Sequence, residues 1–175
     1  MMTSTTLAMR AHDHHFNDAA FVLEWHIIGM YGPSFFTGSL VYRFGALNVI
    51  LAGIVLLFLC IVAALAGTRL VNFWAAMFLL GVGWNFMYVG GSALLTECYT
   101  PAERAKTQAA NDFLIFATMA ISSMSSGLLL NKSGWQAVNF GSIPFLVLAT
   151  AATLWLMWKR RTRPAAPSTT RKIHS

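Results

Sequence analysis

Five apolar stretches follow one another along this chain with only short polar loops between them, at residues 21–41, 47–66, 70–95, 108–130 and 135–158. At about 1.5 Å of rise per residue, ~20 residues cover the roughly 30 Å hydrocarbon core of a bilayer. A helix on a soluble domain buries one stripe and shows a polar face, whereas these stretches are apolar all round. Backbone N–H and C=O groups inside a bilayer must pair within their own segment, so spans of this length are helices. The sequence therefore predicts an all-α, polytopic membrane helical bundle with five transmembrane helices. Composition agrees, with 57% hydrophobic and only 10% charged residues, far from the balance of a soluble domain. Residues 1–20 read as an outer N-terminal segment, 21–158 as the five-helix domain and 159–175 as a basic cytoplasmic tail. From residue 163 onward the tail is rich in Pro, Thr and Arg and has little to bury, which predicts disorder.

The net charge of +6 could suggest nucleic acid, but its placement argues otherwise. Six of the twelve Lys and Arg follow the last span: Lys159, Arg160, Arg161, Arg163, Arg171 and Lys172. Such a cluster beside a membrane helix sets topology or meets anionic headgroups. Alternating the spans sorts the loops into two sets. One holds Arg43, Arg104, Lys106 and the six tail residues, and the other holds Arg10, Arg69 and Lys132. The positive-inside bias places the tail in the cytoplasm and residues 12–18 outside. No basic run precedes a cleavable apolar segment, so no signal peptide is read. An outer N-terminus of this kind is expected where a further helix lies upstream.

Polar residues inside the spans are the candidates for function, because an unpaired ionisable group in hydrocarbon costs several kcal/mol. In the first span, His26, Gly29, Met30, Pro33 and Thr37 share one face of a helix that Pro33 must kink. Glu24 and His26 either sit solvated at headgroup level or line a polar cavity for substrate or protons. Asn85 lies near the midplane of the third span and either bonds a neighbouring helix or touches substrate. Arg104, Gln108 and Asp112 form a stripe at i, i+4 and i+8, with Asp112 either ion-paired to Arg104 or Arg43 or serving a transport pathway. Thr100-Pro101-Ala102-Glu103 reads as a helix start, with Thr100 as cap, Pro101 in the first position and Glu103 closing a capping box. Ser122, Ser123, Ser125, Ser126 and Gly127 offer small surfaces for helix packing. His12-Asp13-His14-His15 could hold a divalent ion but matches no ligand spacing, and reads as a solvated loop. Cys60 and Cys98 suggest neither a disulfide nor a metal pair. No nucleophile–base set, phosphate-binding loop or carboxylate pair appears, so no enzymatic activity, metal or cofactor is expected.

The loop between the first two spans reads Gly38-Ser39-Leu40-Val41-Tyr42-Arg43-Phe44-Gly45. It resembles the G-x-L-x-D-R-x-G signature of the major facilitator superfamily, with Gly38, Arg43 and Gly45 in register. Tyr42 stands at the acidic position, so the aspartate's charge interactions are not carried over. Thr100-Pro101-Ala102-Glu103-Arg104-Ala105, Gly81-Val82-Gly83-Trp84-Asn85-Phe86 and Gly134-Trp135-Gln136-Ala137-Val138-Asn139 also look like bacterial members of this superfamily. The resemblance implies that the spans are helices eight to twelve and that residues 1–9 are the outer end of helix seven. It thus implies a partial half-bundle of a twelve-helix fold, whose substrate site lies near the midplane between two halves. The expected role is the C-terminal part of a secondary transporter that moves a small solute by alternating access and does not transport alone. Its expected partners are the lipid bilayer of a bacterial plasma (inner) membrane, the solute, and the missing N-terminal half or further copies. The competing reading is a small integral-membrane interaction subunit without transport activity.

Overall fold

The computed structural model describes residues 2–12 and 15–162; the tail reading from residue 163, and Asp13 and His14 of the histidine loop, lie outside them. Six helices follow in order: α1 (Met2–Ala11), α2 (Phe16–Tyr31), α3 (Ser34–Phe44), α4 (Ala46–Leu65), α5 (Leu70–Thr96) and α6 (Arg104–Arg161). A short 3-10 turn, Pro101–Glu103, leads into α6. No strand occurs among the described residues, and the molecule is an all-α membrane bundle.

The second and third expected spans are the single helices α4 and α5. The first is divided where hydropathy alone shows no break, and the last two lie on either side of Gly134. Pro33 supplies no N–H, and the first span is split there into α2 and α3, of 16 and 11 residues. Among the described residues, three helical segments are long and apolar enough to cross a bilayer: Ala46–Leu65, Leu70–Thr96 and Pro101–Arg161. The last holds both remaining spans as two helical limbs separated at Gly134, where φ is 80° and ψ is −178°. Only glycine adopts that backbone without strain.

The chain reverses at this interruption. Arg160 Nη2 lies 2.7 Å from Glu97 Oε2, so the far end of α6 returns to the end of α5. A straight helix from 104 to 160 would instead extend about 84 Å. α6 is therefore a hairpin with limbs 104–133 and 135–161. One end of the bundle carries the α3–α4 junction, the end of α5 and both termini of α6. Arg43, Arg104, Lys106, Lys159, Arg160 and Arg161 are exposed there.

The core is centred on α5, which packs on α2 and α4. Phe73 and Met77 of α5 are buried against Ala8 and Met9 of α1 and Ala19 and Val22 of α2. Apolar burial alone brings little inside lipid, so close backbone approach must hold the helices together. Gly81 permits it. A Cβ there would stand 2.5 Å from the His26 carbonyl oxygen and 3.0 Å from the Met30 nitrogen. The second limb of α6 is tied to α4 by Trp135, whose Nε1–H donates to Ala64 O at 3.0 Å. At the start of α6, Glu103 Oε2 accepts from the Thr100 hydroxyl at 2.8 Å and from its backbone N–H at 3.3 Å. Pro101 opens the turn as expected.

Candidate solute cleft

The kink at Pro33 is the local feature on which the polar interior is built. In an unbroken helix Met30 O would receive the Ser34 N–H, but here Asn85 Nδ2 donates to it at 2.7 Å. The second Nδ2 hydrogen goes to Ser34 Oγ at 2.6 Å, and Asn85 Oδ1 accepts from the Thr37 hydroxyl at 2.7 Å. One α5 amide thus clasps both sides of the α2–α3 break, with both its N–H groups and its oxygen bonded within the protein. Asn85 and Thr37 are 2% and 0% exposed.

Beside this clasp lies a cleft of ≈ 320 Å³. His26 and Met30 of α2 and Trp84 of α5 form one wall; Thr118, Met119 and Ser122 of the first α6 limb form the other, and Met2 of α1 borders it. His26 is buried, with Nδ1 2.8 Å from Met77 O. A carbonyl only accepts, so Nδ1 carries the hydrogen and Nε2 is the ring nitrogen left over. Trp84 stacks on Tyr88 one turn along, with ring centroids 4.8 Å apart and planes 8° from parallel. The Tyr88 hydroxyl in turn donates to Asp112 Oδ1 at 3.4 Å, and Asn111 Nδ2 lies at the same distance from that oxygen.

The residues singled out by sequence therefore fall in different places. His26 lines the cleft, Asn85 holds the kink, and Asp112 stands behind the Trp84–Tyr88 stack. Glu24 is exposed on α2. The ion pair expected for Asp112 is not formed among the described residues, where the pair is Arg160–Glu97. Spacing explains this: eight residues carry Arg104 about 12 Å along the helix from Asp112, while Gln108, one turn away, donates instead to the Tyr99 hydroxyl at 2.9 Å. The motif read as a loop is helical up to Phe44, since α3 continues through Gly38 and Arg43, and only Gly45, with φ 85°, joins α3 to α4. Gly38 has nothing within 4 Å of where a Cβ would stand, so close helix contact is not what it supplies here. Arg43 is exposed, its guanidinium 5.5 Å from the Phe44 ring centroid.

Sequence reasoning missed the Trp84–Tyr88 stack and took Ser122 and Ser123 for packing surface alone. The available signals were the i, i+4 spacings of Trp84 with Tyr88 and of Thr118 with Ser122. The second pair continues the face that carries Asn111 and Ile115.

Comparison with known proteins agrees with this architecture. The family model of the Major Facilitator Superfamily matches residues 1–175. The chain is 43% identical over 148 residues to the riboflavin transporter RfnT of Brucella anthropi, a match covering 85% of this chain and 37% of that protein. It is 36% identical to the uncharacterized MFS-type transporter YdeG of Bacillus subtilis, over 91% of this chain and 37% of the relative. It is 34% identical to YddS of the same organism, also an uncharacterized MFS-type transporter, over 89% of this chain and 36% of the relative. No solved structure matches. The chain belongs to the major facilitator superfamily, a family of membrane transporters. It spans little more than a third of the length of these curated relatives.

Proposed function

We propose that this chain is the C-terminal part of a secondary transporter that carries a small solute through the plasma membrane of a bacterium by alternating access. The observation that carries the reading is the cleft between α2, α5 and the first limb of α6. It is lined from α2 by His26 and Met30, on the N-terminal side of the Pro33 kink, and by residues of two of the other apolar spans. The substrate named for the Brucella anthropi relative makes riboflavin the first solute to test. The concentration of Arg and Lys at one end of the bundle supports an orientation with that end, and the tail, in the cytoplasm.

In this reading His26 contacts the solute and Asn85 keeps the α2–α3 kink in shape. Asp112 is the candidate proton carrier, since Tyr88 links its carboxylate to the ring lining the cleft. Glu24 serves at the membrane surface. Gly38 and Arg43 on α3, with Gly45 at its junction with α4, form the cytoplasmic turn that lets α3 and α4 move together. The first α6 limb, which contains no buried residue among those described, supports a covering partner, namely a preceding half-bundle or a second copy.

The test is riboflavin accumulation in proteoliposomes under an imposed pH gradient. The longer polypeptide that contains this chain is expected to accumulate the vitamin, and Asp112→Asn to abolish its dependence on the gradient. The isolated chain is expected to accumulate none. Robust accumulation by the isolated chain would contradict the proposal.

A further inference from the structure

We propose that Trp84, backed by Tyr88, is the platform on which the solute's ring lies, so that the cleft selects a neutral, planar heteroaromatic molecule. This rests on the cleft being the transport site. Tyr88 covers one face of the indole and holds it in a fixed plane, while Trp84 remains half-buried at the cleft wall. A ring held in place before binding loses little freedom when a flat solute stacks on it. Met30 beside it and Met119 across the cleft bring thioethers from α2 and α6, which are polarisable and adapt to the faces and edges of aromatic rings.

The polar part of the wall is neutral. Thr118 and Ser122 present two hydroxyls one helical turn apart, each able to donate and accept, which suits the alternating edge groups of a heterocycle. His26 holds its Nδ1 hydrogen on Met77 O and keeps Nε2 uncommitted by that bond. No Asp, Glu, Lys or Arg lines the cleft among the described residues. A charged solute would leave water without a counter-charge to meet it, which disfavours it strongly in a low-dielectric site. The volume of ≈ 320 Å³ lies at the small end of the usual ~300–1,000 Å³ range for ligand pockets, fitting one fused ring system rather than a peptide or lipid.

The experiment uses the longer polypeptide in proteoliposomes, with riboflavin as the neutral planar probe and riboflavin 5′-phosphate as its charged counterpart. Wild type is expected to bind riboflavin with quenching of the flavin emission, because stacking against an indole quenches it. It should bind the phosphate at least tenfold more weakly. Trp84→Leu should weaken riboflavin binding by about tenfold or more and remove the quenching, in keeping with the usual contribution of one stacked ring. Trp84→Phe retains a ring, so it should fold and bind with intermediate affinity while losing the quenching; it serves where Trp84→Leu does not fold. Wild-type affinity and quenching in the Trp84 variants, equal binding of the phosphate, or no riboflavin binding by wild type would each overturn the inference. Ser122→Trp, which fills the cleft, tests the underlying reading separately. Uptake that survives this plug overturns the cleft as the transport route, whatever the Trp84 variants do.

Discussion

Helix α5 and the first limb of α6 are both apolar enough to enter a bilayer, yet they meet the rest of the protein in opposite ways. Seven α5 residues are buried: Phe73, Ala76, Met77, Gly81, Gly83, Asn85 and Gly90. The buried residues of α6 are Val138, Asn139 and Thr153, all beyond Gly134. On the first limb Phe113, Phe116, Ile121, Met124 and Leu128 are exposed. Hydropathy thus decides which segments leave water but not which of them pack together. In α5 that second decision falls to glycines that admit a neighbouring backbone and to one amide that repairs a broken helix. The first α6 limb presents large apolar side chains outward and turns Thr118, Met119 and Ser122 toward the cleft.

The largest effect should come from breaking the α5 contact. Gly81→Leu drives a side chain into the α2 backbone and is expected to prevent folded protein from accumulating in the membrane. Gly81→Ala should destabilise by about 1–3 kcal/mol, read from thermal unfolding in detergent. Gly91, also on α5, has nothing within 4 Å of where a Cβ would stand, so Gly91→Ala should leave the midpoint unchanged. A tolerated Gly81→Leu would remove close backbone approach as the basis of the core.

The next effect concerns the clasp. Asn85→Ala strands Met30 O beside the kink, while the Thr37 hydroxyl keeps Pro33 O as acceptor at 2.7 Å, and should cost about 1–2 kcal/mol in the same assay, within the range for hydrogen bonds in membrane proteins. Phe113→Ala and Met124→Ala on the outward face of α6 should change the stability of this chain by no more than about 0.5 kcal/mol. A larger loss in the longer polypeptide would identify those side chains as contacts with a further part of it. The smallest effect is expected at Arg160–Glu97, whose side chains are 43% and 51% exposed. Glu97→Gln should cost about 0–1 kcal/mol at low salt and nothing measurable at high salt.

Much of this was legible in the sequence, and the division follows the range of the forces involved. Apolar length located the spans, Pro33 announced a break, and Thr100 to Glu103 announced a helix start, because each depends on neighbours within a few residues. The need of Asn85 for a partner was also readable. Which partner answered was not, since Met30 and Thr37 lie 55 and 48 residues away. The break between the last two spans was read from hydropathy, but its form was not: a single residue with positive φ, Gly134, separates the two limbs of α6. Asp112 was matched to Arg104 by sign of charge, whereas helical rise puts them two turns apart. Ser122 looked like packing surface because a small hydroxyl suits both a helix contact and a cleft wall.

The central claim is that the first limb of α6 has one face on a solute cleft and another away from it. Single cysteines at Ser122 and Phe113, in the longer polypeptide proposed above with all its native cysteines replaced by alanine, test it through labelling by a small membrane-impermeant thiol reagent. The account predicts that Ser122→Cys is labelled and that riboflavin slows the labelling, while Phe113→Cys reacts little and ignores riboflavin. An unreactive Ser122→Cys, or equal labelling at both positions without protection, would contradict it.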